Sequence, residues 1–92
     1  MEVLSKNEKD LVKKRIESVI KGTEEKVNFN DILLSANVLI DILTDDFHAE
    51  IDISEMDTNG WQMDFWIPVE INGESYDIEG SGYYRTLSFY KE

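Results

Sequence analysis

Residues 61–79 read WQMDFWIPVEINGESYDIE, and the pattern of this stretch predicts the fold. Apolar side chains occupy every second position up to Asn72-Gly73, which places them on one face of a strand. The Asn-Gly pair tolerates positive φ at both residues, so a tight hairpin turn is predicted there. Tyr76 and Ile78 continue the alternation in a returning strand. The stretch therefore predicts an antiparallel hairpin with one buried face and one polar face.

The sequence on either side of this hairpin predicts two further strands. Residues 47–53 alternate between apolar and polar side chains, and residues 83–90 are predicted to form the last strand. A turn is expected at residues 57–60, which read DTNG, and a bend or bulge at residues 80–82, which read GSG. Because Pro68 cannot donate a ladder hydrogen bond, its strand is expected to lie at a sheet edge or to be bulged.

An N-terminal helix is predicted to begin after Ser5. Ser5 and Glu8 fit a capping box, in which each residue bonds the backbone of the other. Apolar residues follow at helical spacing, with basic residues on the opposite face, and Gly22 suits the end of the helix. Residues 23–26 are expected to form a short polar linker.

The apolar segment 29–43 fits both a helical stripe and strand alternation. Its length favours a helix, because a typical strand is shorter than 13 residues. Asn28 or Asn30 is expected to cap this helix, with Asp31 at the positive end of its dipole. The fold predicted for residues 1–92 is a single α+β domain, with two N-terminal helices packed on one face of a three- to four-stranded antiparallel sheet.

The composition excludes several classes of protein. Ninety-two residues suffice for one domain, and the absence of cysteine excludes disulfides and thiolate chemistry. The N-terminus has no basic region followed by an apolar run, so no secretory signal is expected and the predicted location is the cytoplasm. No apolar stretch is long enough for a membrane span. A net charge of -11 argues against direct binding to nucleic acid, since phosphates would be repelled.

The charge is distributed unevenly along the chain. Residues 1–26 hold seven basic and six acidic side chains, whereas residues 27–92 hold two basic and 14 acidic ones. No Lys or Arg occurs between positions 27 and 84. Mixed charge would lower self-repulsion, so this acidic stretch calls for a functional reason.

Carboxylates on the polar sheet face offer that reason, because they would form rows resembling nucleic-acid phosphates. Alternate residues of a strand lie about 6.6 Å apart on one face. A plain solubilising surface is the competing interpretation. The residues predicted to stand in for phosphates are Asp41, Asp45, Asp46, Glu50, Asp52, Glu55, Asp57, Asp64, Glu70, Asp77 and Glu79. Trp66, Tyr84 and Tyr90 are predicted to form an interface, which in a homodimer would join two acidic surfaces.

The remaining chemical motifs do not predict catalysis or a cofactor. Residues 55–60 resemble the start of a calcium loop, but Trp66 stands where an EF-hand needs Glu. His48 is the only histidine, so it lacks a second nitrogen or sulfur ligand for a transition metal, and an exposed or capping role is expected. Ser81 lacks the surrounding motif of a nucleophile elbow. We expect no enzyme activity, no metal and no cofactor.

The chain as a whole resembles the Arn-type anti-restriction nuclease inhibitors of T-even phages. The resemblance covers the length, the near-neutral helical start (residues 2–21), the acidic remainder and the tail YYRTLSFY (residues 83–90). It implies a phage protein that inhibits the host's McrBC-type, modification-dependent restriction nuclease. It also implies a DNA-like acidic dimer.

The function predicted from the sequence is that of a non-enzymatic DNA mimic. It would block the DNA-binding surface of a basic host protein, either a restriction nuclease or a nucleoid-organising protein. Reversing Glu50 and Asp52 to Lys is expected to abolish binding and to leave the fold intact. The alternatives are an immunity protein for one basic toxin nuclease, a small calcium module, and a structural dimer whose acidity serves solubility.

Overall fold

The computed structural model describes residues 4–51 and 64–92, which form two helices and five strands. The helices are α1 (Lys6–Ile20) and α2 (Ala36–Phe47), and the strands are β1 (Lys26–Asn28), β2 (Glu50–Ile51), β3 (Asp64–Ile71), β4 (Glu74–Ser81) and β5 (Thr86–Lys91). All neighbouring strands are antiparallel, in the order β1-β5-β4-β3-β2. The α+β class is confirmed, and the sheet is wider than the three or four strands expected.

Helix α1 follows the sequence prediction closely. The Ser5 hydroxyl accepts from the backbone N–H of Glu8, and the Glu8 carboxylate accepts from that of Ser5, each at 3.2 Å. Val12, Ile16 and Val19 form the fully buried stripe. The helix closes at Lys21, and the next residue, Gly22, has a φ of 81°. Local capping chemistry and spacing are therefore sufficient to define this element.

Strand β1 corrects the prediction of a polar linker over residues 23–26. Lys26, Val27 and Asn28 pair with the C-terminal strand β5 and become one edge of the sheet. Val27 and Phe29 are both buried in the core, two residues apart. A single inward valine in a three-residue strand carries too little periodicity to be recognised, and its pairing partner lies about 60 residues away in the chain.

Helix α2 begins at Ala36, so the predicted start near Phe29 is wrong. Ser35 is the N-cap, and its hydroxyl accepts from the Val38 backbone N–H at 3.3 Å. The expected caps have other partners, because Asn30 accepts from the backbone N–H of Leu87 at 3.3 Å. Asn28 accepts from the Ser88 hydroxyl and Asp31 binds Arg15.

Helix α2 also extends past its predicted end, to Phe47. His48 then caps it in the left-handed conformation, with a φ of 55°, and donates its backbone N–H to Leu43. This agrees with the capping role expected for the single histidine. The strand predicted from residue 47 therefore begins later, at Glu50.

The hairpin of β3 and β4 confirms the central prediction. The two strands pair without interruption from Asp64↔Ser81 to Ile71↔Glu74, and Asn72 and Gly73 both have positive φ. Pro68 lies within this register, opposite Asp77, without a bulge. Strand β3 also pairs with β2 at the following two residues, so it is not an edge strand.

The C-terminal strand is shorter than the predicted segment 83–90. Residues 82–85 form a turn, and β5 begins at Thr86. Strand β4 runs on to Ser81, so residues 80 and 81 are part of the ladder, not a bend. The turn predicted at residues 57–60 lies outside the described residues.

Both helices pack on the same face of the sheet. Their buried side chains form one cluster with the inward residues of the strands, among them Ile67, Ile78 and Phe89. Ring stacking joins Tyr76 to Phe89, with centroids 5.3 Å apart. The other face of the sheet is therefore the one on which the polar alternation of the strands is displayed.

Candidate binding face of the sheet

The outer face is defined here as the sheet face opposite the helices. Strand alternation and register place on it the following described residues: Lys26, Asn28, Glu50, Asp64, Trp66, Pro68, Glu70, Ser75, Asp77, Glu79, Ser81, Thr86, Ser88 and Tyr90. Five of the predicted phosphate-mimicking residues lie on this face, and Lys26 is the single base among its described members.

Glu50 and Glu70 stand directly opposite each other on β2 and β3, and both are exposed. Like charges in this position destabilise a sheet. With Ser75 and Glu92 they border a cavity of about 470 Å³ beside Pro68. Within residues 4–51 and 64–92, neither Glu50 nor Glu70 forms an ion pair, so their charge remains available to a partner.

Glu79 is exposed but already engaged. One carboxylate oxygen lies 3.6 Å from the Lys26 ammonium nitrogen, and the other accepts a hydrogen bond from the Tyr90 hydroxyl at 3.2 Å. The Lys26 nitrogen also lies 5.2 Å from the centroid of the Tyr90 ring. Burial and the Glu79 hydrogen bond raise the pKa of Tyr90. Glu79 therefore presents less net charge than Glu50 or Glu70.

Asp77 differs from the other acids because it is only 3% exposed. Its Oδ1 atom has no hydrogen-bond partner among the described residues. Burial raises the pKa of Asp77 and the charge of Glu92 adds to this, against a hydrogen bond from the Trp66 indole that lowers it. Although Asp77 is on the predicted face, it offers a partner little surface in this conformation.

The three acids of helix α2 lie on the other side of the molecule from the outer face. Asp41 and Asp45 are exposed on the helical layer. Asp46 is 3.3 Å from the Lys13 ammonium and 4.0 Å from that of Lys9, both on α1. The fold therefore divides the predicted set between two surfaces, and ion pairs with lysine partly neutralise Asp46 as well as Glu79.

Three other predicted residues, Asp52, Glu55 and Asp57, lie outside the described residues. Asp64 is exposed on the outer face at the start of β3.

The aromatic residues predicted to form an interface are also separated by the fold. Trp66, 47% exposed, and Tyr90 lie on the outer face, on strands separated by β4. Tyr84 is 74% exposed in the turn between β4 and β5, where its ring meets the edge of Tyr83. Only the first two can therefore act together with the acidic side chains of the sheet.

Lys26 was not predicted to lie on this face, because residues 23–26 were expected to form a linker. The alternation of residues 26–29, polar and apolar in turn, was the available signal, but four residues are too few to predict a strand. Its position beside Glu79 follows only from the pairing of β1 with β5.

Among the described residues, no group of three or more His, Asp and Glu side chains is placed to hold a metal ion. No described helix combines the length and apolar character needed to cross a membrane. In comparisons with known proteins, no family model, no curated protein and no solved structure matches this chain.

Proposed function

We propose that this chain is a non-enzymatic inhibitor that occupies the DNA-binding surface of a basic host protein. The supporting observation is the outer face, where Glu50, Asp64, Glu70 and Glu79 are exposed and Lys26 is the single base among the described residues. The inhibitor acts by competition and needs no chemistry of its own.

The spacing of these carboxylates suits a partner that normally binds phosphates. Strands lie about 4.8 Å apart and alternate residues about 6.6 Å apart, so the face is a grid of anionic positions. A DNA strand carries a phosphate about every 3.4 Å along the axis. Lysine and arginine side chains are long and flexible enough to pair with either spacing. Electrostatic steering makes the association fast and sensitive to salt.

The resemblance to Arn-type inhibitors supplies the first candidate target, a McrBC-type restriction nuclease in the cytoplasm of the host. A nucleoid-organising protein is the second, since a mimic of backbone charge does not depend on base sequence. A homodimer that sets two outer faces side by side would lengthen the acidic surface.

The test compares two charge reversals of equal size on opposite sides of the molecule. Glu50→Lys with Glu70→Lys alters the outer face, and Asp41→Lys with Asp45→Lys alters helix α2. Each variant is titrated into complexes of a labelled DNA duplex with a McrBC-type nuclease, a nucleoid protein and unrelated basic DNA-binding proteins. We expect the wild type and the α2 variant to displace DNA, and the outer-face variant to lose this activity.

Equal loss in both variants would show that net charge, and not the outer face, is responsible. If the wild type displaces DNA from none of these proteins, the proposal is wrong. Binding to one toxin nuclease alone would instead identify an immunity protein, which blocks its target through a specific hot spot. Circular dichroism establishes that each variant is folded.

A further inference from the structure

The outer face already holds one cation, which the chain itself supplies. The Lys26 ammonium contacts the Glu79 carboxylate at 3.6 Å and the ring of Tyr90 at 5.2 Å from its centroid. Both side chains of the ion pair are about half exposed, at 46% and 52%. Exposed pairs of this kind contribute little stability, so the ammonium can be replaced at low cost.

Asp77 places a buried carboxylate with one unpartnered oxygen directly beside this contact. It lies opposite Tyr90 on β5 and opposite Pro68 on β3, and it receives a hydrogen bond from the Trp66 indole. Its Oδ1 atom is buried without a partner among the described residues. A buried carboxylate oxygen in this state is costly, and a cation delivered to it would remove that cost.

Two aromatic rings flank these carboxylates. Trp66 pairs with Glu79 and Tyr90 pairs with Asp77, so the two aromatic residues lie on either side of β4 and two positions apart along it, about 12 Å between their backbone positions. A planar guanidinium can lie against an aromatic face and bond a carboxylate in two places, whereas an ammonium is a point charge. The geometry therefore suits an arginine side chain better than the lysine that occupies part of it.

We propose that Trp66, Asp77, Glu79 and Tyr90 form a binding site for one arginine side chain of the partner protein, and that Lys26 is an internal occupant which this arginine displaces. The site rests on the proposed function, because it names the chemistry by which the outer face recognises its target. Lys26 keeps the site partly neutral in the free protein. The incoming arginine takes its place at Glu79, beside the Tyr90 ring and next to the buried Asp77 carboxylate.

Removal of the internal competitor is the central test. Lys26→Met keeps the aliphatic stem beside Tyr90 and removes the ammonium. Lys91→Met is the matched control, because Lys91 loses the same charge from an ion pair of 3.3 Å with Glu74 on the opposite sheet face. Binding of the full chain to a labelled octa-arginine peptide is measured by fluorescence anisotropy. We expect Lys26→Met to bind about two- to fivefold more tightly than Lys91→Met.

Loss of the carboxylates is the complementary test. Asp77→Asn and Glu79→Gln are each expected to weaken binding more than Glu74→Gln, which neutralises an acid outside the site. Octa-lysine is expected to bind less tightly than octa-arginine to the wild type, and this preference is expected to shrink in Asp77→Asn. Equal affinities of the two lysine variants, or of the three carboxylate variants, would overturn the site.

The failure of this inference can be distinguished from failure of the proposed function. If the wild type displaces DNA but Lys26→Met and Lys91→Met bind the peptide equally, the arginine site is wrong and the proposed inhibitor function stands. If the peptide affinities follow the expected order but the wild type displaces DNA from none of the proteins, the arginine site stands and the inhibitor function is wrong.

Discussion

At the scale of single residues, the Arg15 side chain makes several contacts with residues outside its own helix. It binds both carboxylate oxygens of Asp31 at 2.7 Å, donates to the Asn28 carbonyl at 2.8 Å, and lies over the ring of Phe29. The Arg15 hydrogen bonds hold the pKa of Asp31 at about 2. This contact joins α1 to the segment that precedes α2. The sequence had predicted that a helix would begin within this segment.

The Asp31–Arg15 pair predicts a loss of stability in acid. Because the pKa of Asp31 is about 2 in the folded chain and 3.8 in its ordinary state, the pair stabilises the protein above pH 3.8. This contribution is lost as the pH falls toward 2. We expect Asp31→Asn to be less stable than the wild type at pH 6, and the difference to shrink toward pH 2.

Urea unfolding at a series of pH values measures this difference directly. Glu17→Gln, which alters an exposed helical pair at 3.9 Å with Lys21, is the control and should leave the profile nearly unchanged. A stability difference between wild type and Asp31→Asn that does not vary with pH would contradict the prediction.

At the scale of elements, the alignment of β4 with its neighbours depends on one glycine. Gly80 lies between Phe65 on β3 and Leu87 on β5. A Cβ atom there would overlap the backbone carbonyl oxygen of Thr86 and lie 2.9 Å from the Phe65 ring. The sequence indicated a special backbone position at residues 80–82, but predicted a bend where the structure has a close approach of strands.

Gly80→Ala is therefore expected to destabilise the protein strongly. The added methyl group meets backbone that cannot move without breaking the β4–β5 ladder, so we expect a loss of about 1–3 kcal/mol in the free energy of unfolding. Chemical denaturation measures the loss. Ser75→Ala, at an exposed position of the same strand, should change the stability by less than about 0.5 kcal/mol. An equal effect of the two substitutions would mean that the strands can separate at Gly80 without cost.

At the scale of the whole molecule, the excess of carboxylates is expected to destabilise the fold through repulsion between like charges. The chain carries a net charge of -11, and its described ion pairs are all at least partly exposed. Helix α1 supplies Lys9 and Lys13 to Asp46, which offsets part of the charge on the helical layer. The outer face receives Lys26 alone among the described bases. Repulsion between the carboxylates of the acidic face therefore destabilises the free protein, and binding of a basic partner would reduce this repulsion.

This repulsion predicts that salt stabilises the free protein. At 0.5 M salt the screening length is a few ångströms, against about 14 Å at 0.05 M. We expect the melting temperature to rise between these concentrations, by about 4–8 °C for each kcal/mol of repulsion removed. Differential scanning calorimetry in NaCl and in KCl measures the rise, and agreement of the two salts excludes a specific sodium effect. A fall in melting temperature would mean that the ion pairs outweigh the repulsion.

Local sequence was sufficient to predict the features that depend on neighbouring residues. The capping box at Ser5, the alternation of β3, and the turn at Asn72-Gly73 each follow from local spacing and backbone chemistry. The α+β class followed from the same signals. The start of α2 did not, because the apolar pattern of residues 29–43 continues through the segment before Ser35.

Which of the acids share a surface depends on the packing of elements that are distant in the chain. Strand β1 brings Lys26 beside Glu79, although 53 residues separate them, and the packing of both helices on one face puts Asp41 and Asp45 opposite Glu50 and Glu70. The burial of Asp77 among exposed carboxylates likewise results from packing. The number of charges can be counted from the sequence. The distances between them depend on long-range strand pairing, which no local pattern encodes.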